Sequence, residues 1–65
     1  MTIKIGYKEG DVEFTQSTEY NDFLDAQAAM PALISAQSSN MNVTEFYYLE
    51  VLGEEEIRIA SIDPS

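Results

Sequence analysis

Val43-Thr44-Glu45-Phe46-Tyr47-Tyr48-Leu49-Glu50-Val51-Leu52-Gly53-Glu54-Glu55-Glu56-Ile57-Arg58-Ile59-Ala60-Ser61-Ile62 holds the strongest strand signals of the chain, on either side of a glycine. Val43 to Leu52 is rich in aromatic and β-branched residues and nearly continuous in apolar character from Phe46 to Leu49, whereas Glu56 to Ile62 alternates with period two. Both read as strands of one hairpin. Two registers compete for it. A two-residue turn at Gly53-Glu54 sets Val51 beside Glu56 and Leu49 beside Arg58, whereas a three-residue loop of Gly53-Glu54-Glu55 pairs Val51 with Ile57, Leu49 with Ile59 and Glu50 with Arg58. The second groups the apolar side chains and is preferred. It predicts a core face of Tyr47, Leu49, Val51, Ile57 and Ile59, with Phe46, Tyr48, Ala60 and Ile62 on the opposite face.

Upstream of this hairpin, Ser38-Ser39-Asn40 closes a helical pattern. Phe23, Ala26, Met30, Leu33 and Ile34 form one stripe at 100° per residue, with Tyr20 on its flank. Ser17 or Thr18 is the expected cap, and Glu19, Asp22 and Asp25 crowd the first turns, where the helix dipole favours anions. Pro31 removes a backbone donor in mid-helix and clashes with the carbonyl of Gln27, predicting a kink or two short helices with Pro31 opening the second. Alanines around it keep the helical propensity high.

Thr2 to Gln16 alternates again: Ile3, Ile5 and Tyr7 against Lys4, Gly6 and Lys8, then Val12 and Phe14 against Asp11, Glu13 and Thr15. A two-residue turn at Glu9-Gly10 pairs Lys8 with Asp11, Tyr7 with Val12 and Ile5 with Phe14, placing all five apolar side chains on one face. The order is strand, strand, helix, strand, strand. The expected fold is α+β, one kinked helix on one face of an antiparallel sheet of about four strands. Residues 1–65 are read as a single compact domain with 63–65 as a frayed tail. Which strands join the two hairpins is not legible from the pattern.

Composition restricts function. The chain has 65 residues, no Cys and no His. That removes disulfides, thiolate metal sites and the usual proton shuttle near neutral pH. Below about 70 to 80 residues a core seldom supplies more than roughly 3 to 5 kcal/mol without a staple. Enclosing a catalytic cleft is correspondingly hard, so a non-enzymatic protein without cofactor or metal is expected. Twelve Asp plus Glu against three Lys plus Arg give a formal charge of -9, which repels nucleic acid and anionic membranes. No signal-peptide pattern and no membrane-length apolar run is seen, which reads as a cytoplasmic chain, in the host cytoplasm if the protein is virus-encoded.

Two surfaces are candidates for function. Glu9, Asp11 and Glu13 on the first hairpin, Glu19, Asp22 and Asp25 at the helix start and Glu54-Glu55-Glu56 in the last turn are expected to meet a basic partner, in particular a nucleic-acid-binding protein. Carboxylates on a stiff scaffold can imitate a line of phosphates. Dipole stabilisation and solubility account for about half of the acids without any function. In size and charge alone, with no motif in common, the chain resembles virus-encoded antagonists such as anti-CRISPR proteins and DNA mimics. The second candidate is a homodimer or assembly interface at Phe46, Tyr48 and Ile62, if those side chains lie on a sheet face the helix does not cover. Tyr7, Tyr20, Tyr47 and Tyr48 are unsuited to stacking on bases, because such sheets sit in positively charged grooves.

Overall fold

The computed structural model describes Met1–Asp63; Pro64 and Ser65, part of the tail expected at 63–65, lie outside the described residues. Chain order is β1 (Thr2–Glu9), β2 (Val12–Thr15), α1 (Phe23–Ala36), β3 (Val43–Leu52) and β4 (Glu55–Ile62). The strands form one sheet in the order β2-β1-β3-β4, with every pairing antiparallel. The fold is therefore α+β with the expected β-β-α-β-β order, and the hairpins join through their first strands.

Both hairpin turns correct the expected registers, and for the same reason. Gly10 and Gly53 have φ of 62° and 63°, and no other described residue has positive φ. A glycine that alone takes positive φ fits the first loop position of a II′ turn. Placing Gly10 second would force positive φ on Glu9 as well. The loops are accordingly Gly10-Asp11 and Gly53-Glu54, so Tyr7 pairs with Phe14 rather than Val12, and Lys8 with Glu13 rather than Asp11. The shift moves each partner by two positions, so Ile3, Ile5, Tyr7, Val12 and Phe14 still share a face.

In the second hairpin both competing registers occur. Next to the turn, Val51 pairs with Glu56 and Leu49 with Arg58, the arrangement judged less favourable from sequence. Beyond an irregularity at Tyr48/Leu49, Tyr48 pairs with Ala60 and Phe46 with Ile62. One extra residue on β4, a β-bulge, converts the first register into the second.

This bulge and the β1–β3 pairing reverse the predicted faces of β3. Ile5 pairs with Tyr48 and Tyr7 with Phe46, which places Phe46 (2% exposed) and Tyr48 (4%) in the helix-covered core with Ile3, Ile5, Ala26, Met30 and Leu33. Tyr47 and Leu49 occupy the other face, together with Val51 by alternation. The aromatic run had no alternation to reveal this, because a central strand is buried on both sides. Ile57 and Ile59 are partly exposed rather than core residues.

The helix follows its predicted stripe. Ala26, Met30 and Leu33 are buried, and the Phe23 ring lies 4.7 Å from that of Tyr48. Its cap is Asp22, whose Oδ1 accepts from the Asp25 N–H at 2.9 Å, not Ser17 or Thr18. The cap sits later because Tyr20 first pairs with Ile3 as an extended bridge, exchanging two backbone bonds of 2.8 Å. Pro31 lies inside one continuous helix on its exposed side, so two separate helices do not form. No described helix is long and apolar enough to cross a membrane.

Candidate functional site

The sheet face away from α1 has no second layer, yet Tyr47 on it is 0% exposed. Its ring lies flat across β1 because its cross-strand neighbour is Gly6: a Cβ there would stand 2.5 Å from the Phe14 carbonyl oxygen and 2.7 Å from Tyr47 Oη. The phenol reaches β2, where it shares a 2.8 Å hydrogen bond with the Thr15 hydroxyl. Arg58 covers the ring, its guanidinium carbon 4.7 Å from the centroid, while donating to Glu13 on β2 and, at 2.7 Å, to Glu45 on β3. Lys4 pairs with Glu56 at 3.1 Å. Arg58 on β4 thus reaches β3 and β2 over one tyrosine, and that ring is sealed by side chains lying along the face.

Burial pushes the Tyr47 phenol above the ordinary tyrosine value. The Thr15 hydrogen bond and the Arg58 charge pull it back, and Glu13 and Glu56 push it up. It therefore stays neutral at physiological pH. Burial alone raises Tyr48.

Pairing also partitions charge. Lys4, Lys8 and Arg58 are all the basic side chains of the chain, and by register they share the open face with Glu13, Glu45 and Glu56. Within the strands this face is formally neutral. The whole formal charge of -9 rests on the other carboxylates, Glu9, Asp11, Glu19, Asp22, Asp25, Glu50, Glu54, Glu55 and Asp63.

Six of these lie toward one end of the sheet, where β1 begins and β3 ends. Thr2 pairs with Val51 and Ile3 with Glu50, the turn carrying Glu54 and Glu55 follows, Thr2 donates to Glu19, and Asp22 caps the helix with Asp25 in its first turn. Of the nine acids singled out from sequence, Glu19, Asp22, Asp25, Glu54 and Glu55 are brought together at this pole. Glu9 and Asp11 belong to the opposite end, where Glu9 accepts from Asn40 at 3.2 Å. Glu13 and Glu56 are committed to Arg58 and Lys4. Glu50 was missed; its pairing with Ile3 places it at the pole, and no local pattern announces it.

The interface expected at Phe46, Tyr48 and Ile62 requires correction. Phe46 and Tyr48 are core residues under α1, and only Ile62 (38% exposed) reaches solvent. Among the described residues, no group of three or more His, Cys, Asp or Glu side chains is arranged to hold a metal ion. Comparison of the chain with protein-family models, curated proteins and solved structures finds no match.

Proposed function

We propose that this protein is a non-enzymatic, acidic binding protein whose carboxylate-rich pole docks on a basic surface of a nucleic-acid-handling protein and competes there with nucleic acid. The observation that carries this reading is the partition of charge. Every basic side chain lies by register on one sheet face and its ion pairs go to Glu13, Glu45 and Glu56, so among the described residues Glu19, Asp22, Asp25, Glu50, Glu54 and Glu55 at the pole have no ion-pair partner and together project a negative field. Such an arrangement costs stability through self-repulsion and speeds encounter with a cationic surface. Its sign is that of a phosphate backbone, which is why the favoured target is a protein that binds one.

The test is an affinity capture from the native cell with nuclease present, at 0.01 M and 0.15 M salt, where the Debye length falls from about 30 Å to roughly 8 Å. Basic nucleic-acid-binding proteins should be recovered at low salt, retained less at high salt, and lost when Glu50, Glu54 and Glu55 are changed to lysine. Recovery of the same proteins by that triple variant would refute the reading.

A further inference from the structure

A sheet of four strands spaced about 4.8 Å apart is wider than one helix of roughly 10 Å diameter can cover. The cover of α1 is centred on β1 and β3, through Ile3, Ile5, Phe46 and Tyr48. The helix-side residues of β4 are left over, with Ile57 43% and Ile62 38% exposed and Ala60 only partly buried. Measured on β3, from Glu50 opposite Ile57 to Phe46 opposite Ile62, they mark a shelf of roughly 13 Å at the strand rise, equal to about two and a half turns of helix. At its far end the shelf meets an open groove of about 360 Å³ lined by Ile34, Val43 and Phe46 with Met41 at the lip. Phe46, paired with Ile62, is common to both.

We infer that this shelf is a seat for an amphipathic helix of the partner whose solvent face is cationic. The inference rests on the proposed function and names the element that the acidic pole attracts. Charge decides the occupant. Glu50, Glu54 and Glu55 stand at the near end of the shelf, and α1 has no basic residue in its last turn beside the groove, so the helix C-terminal carbonyls add to the negative field there. A second copy of this chain brings another -9 and a helix start bearing Asp22 and Asp25, and is disfavoured. An added strand on β4 is disfavoured too, because the bulge interrupts the regular edge that strand addition needs. An incoming helix with apolar residues at i, i+3, i+4 and i+7 meets Ile57, Ala60 and Ile62 in turn and extends toward Met41, while its lysines or arginines face the carboxylates.

The experiment titrates the full-length protein with two synthetic peptides of about 14 residues, identical in leucine and lysine content. One carries leucines in the helical stripe and the other is scrambled. Isoleucine and methionine methyl spectra are recorded at 0.15 M salt. The striped peptide should bind at least about tenfold more tightly and shift the methyls of Ile57, Ile62 and Met41, and the double variant Ile57→Ser, Ile62→Ser should abolish that preference while keeping the fold. Both side chains are already partly exposed, so the variant tests docking rather than folding. Equal affinity for the two peptides, or unmoved methyls, would overturn the helix seat while leaving the electrostatic reading intact. No binding of either peptide even at 0.01 M salt would defeat both. Methyl shifts that depend on protein concentration alone, with a dimer in sedimentation, would assign the shelf to a second copy and overturn the inference.

Discussion

The two faces of the sheet are closed by different physics. On one side an alanine-rich helix lays Ala26, Met30 and Leu33 over Ile3, Ile5, Phe46 and Tyr48, and burial is apolar throughout. On the other, Tyr47 lies across Gly6, fixed at its hydroxyl by Thr15 and roofed by Arg58, whose own charge is held by Glu13 and Glu45. The helix side leaves a margin along β4, whereas the open side leaves Tyr47 with none. A small domain can thus bury a large aromatic residue without a second layer, provided a glycine clears the space and ion-paired stems cover it. Because all three basic side chains lie by register on this same face, the carboxylates outside it have no basic side chain beside them on theirs.

Breaking either face tests the comparison. Phe46→Ala and Tyr47→Ala should each cost about 3 to 5 kcal/mol, read as a lower urea midpoint, although only the first lies under the helix. A cost below about 1 kcal/mol for Tyr47→Ala would mean the open face is only a solvated surface. Next in size, Gly6→Ala forces a Cβ into the Tyr47 ring and the Phe14 carbonyl, and should cost about 1 to 3 kcal/mol, whereas the gain in β-propensity alone predicts slight stabilisation. The midpoint separates the two. Asp22→Ala should cost about 1 kcal/mol through loss of the helix cap, with Ser17→Ala and Thr18→Ala near neutral, measured by thermal unfolding.

The smallest effect sharpens the contrast through pH. Tyr47 and Tyr48 are both raised by burial, while an unfolded tyrosine titrates near pH 10. The folded chain then holds these protons to higher pH than the unfolded one. The stability they contribute is complete below about pH 10 and is lost as pH rises through the folded values. The urea midpoint should fall in that range, and Tyr47→Phe should remove part of the fall while costing about 1 kcal/mol at neutral pH for the lost Thr15 bond.

Much of this was legible from the pattern of residues. Period-two alternation located β1 and β2 and grouped Ile3, Ile5 and Tyr7 correctly, and the 3.6-residue stripe gave the helix and its buried side. Phe46-Tyr47-Tyr48-Leu49 misled, because a strand buried on both faces carries no alternation, and its facing depends on distant residues: Gly6, which leaves room for the Tyr47 ring opposite it, and Ile5, which pairs with Tyr48 in the core under the helix. The turns misled in a narrower way, since glycine marked each loop but not its position in it. For the candidate site, the acids were visible as composition and their grouping was not. Glu56 looked like one member of an acidic run until Lys4, far away in sequence, was found beside it.

Charge balanced on the open face and concentrated at the pole should be visible in backbone amide spectra recorded during titration with decalysine at low salt. Shifts confined to Glu19, Asp22, Asp25, Glu50, Glu54, Glu55 and their neighbours, with Gly6, Lys8, Glu13 and Glu45 silent, are the predicted result. Shifts spread evenly over both faces, or strongest around Glu13 and Glu45, would contradict it.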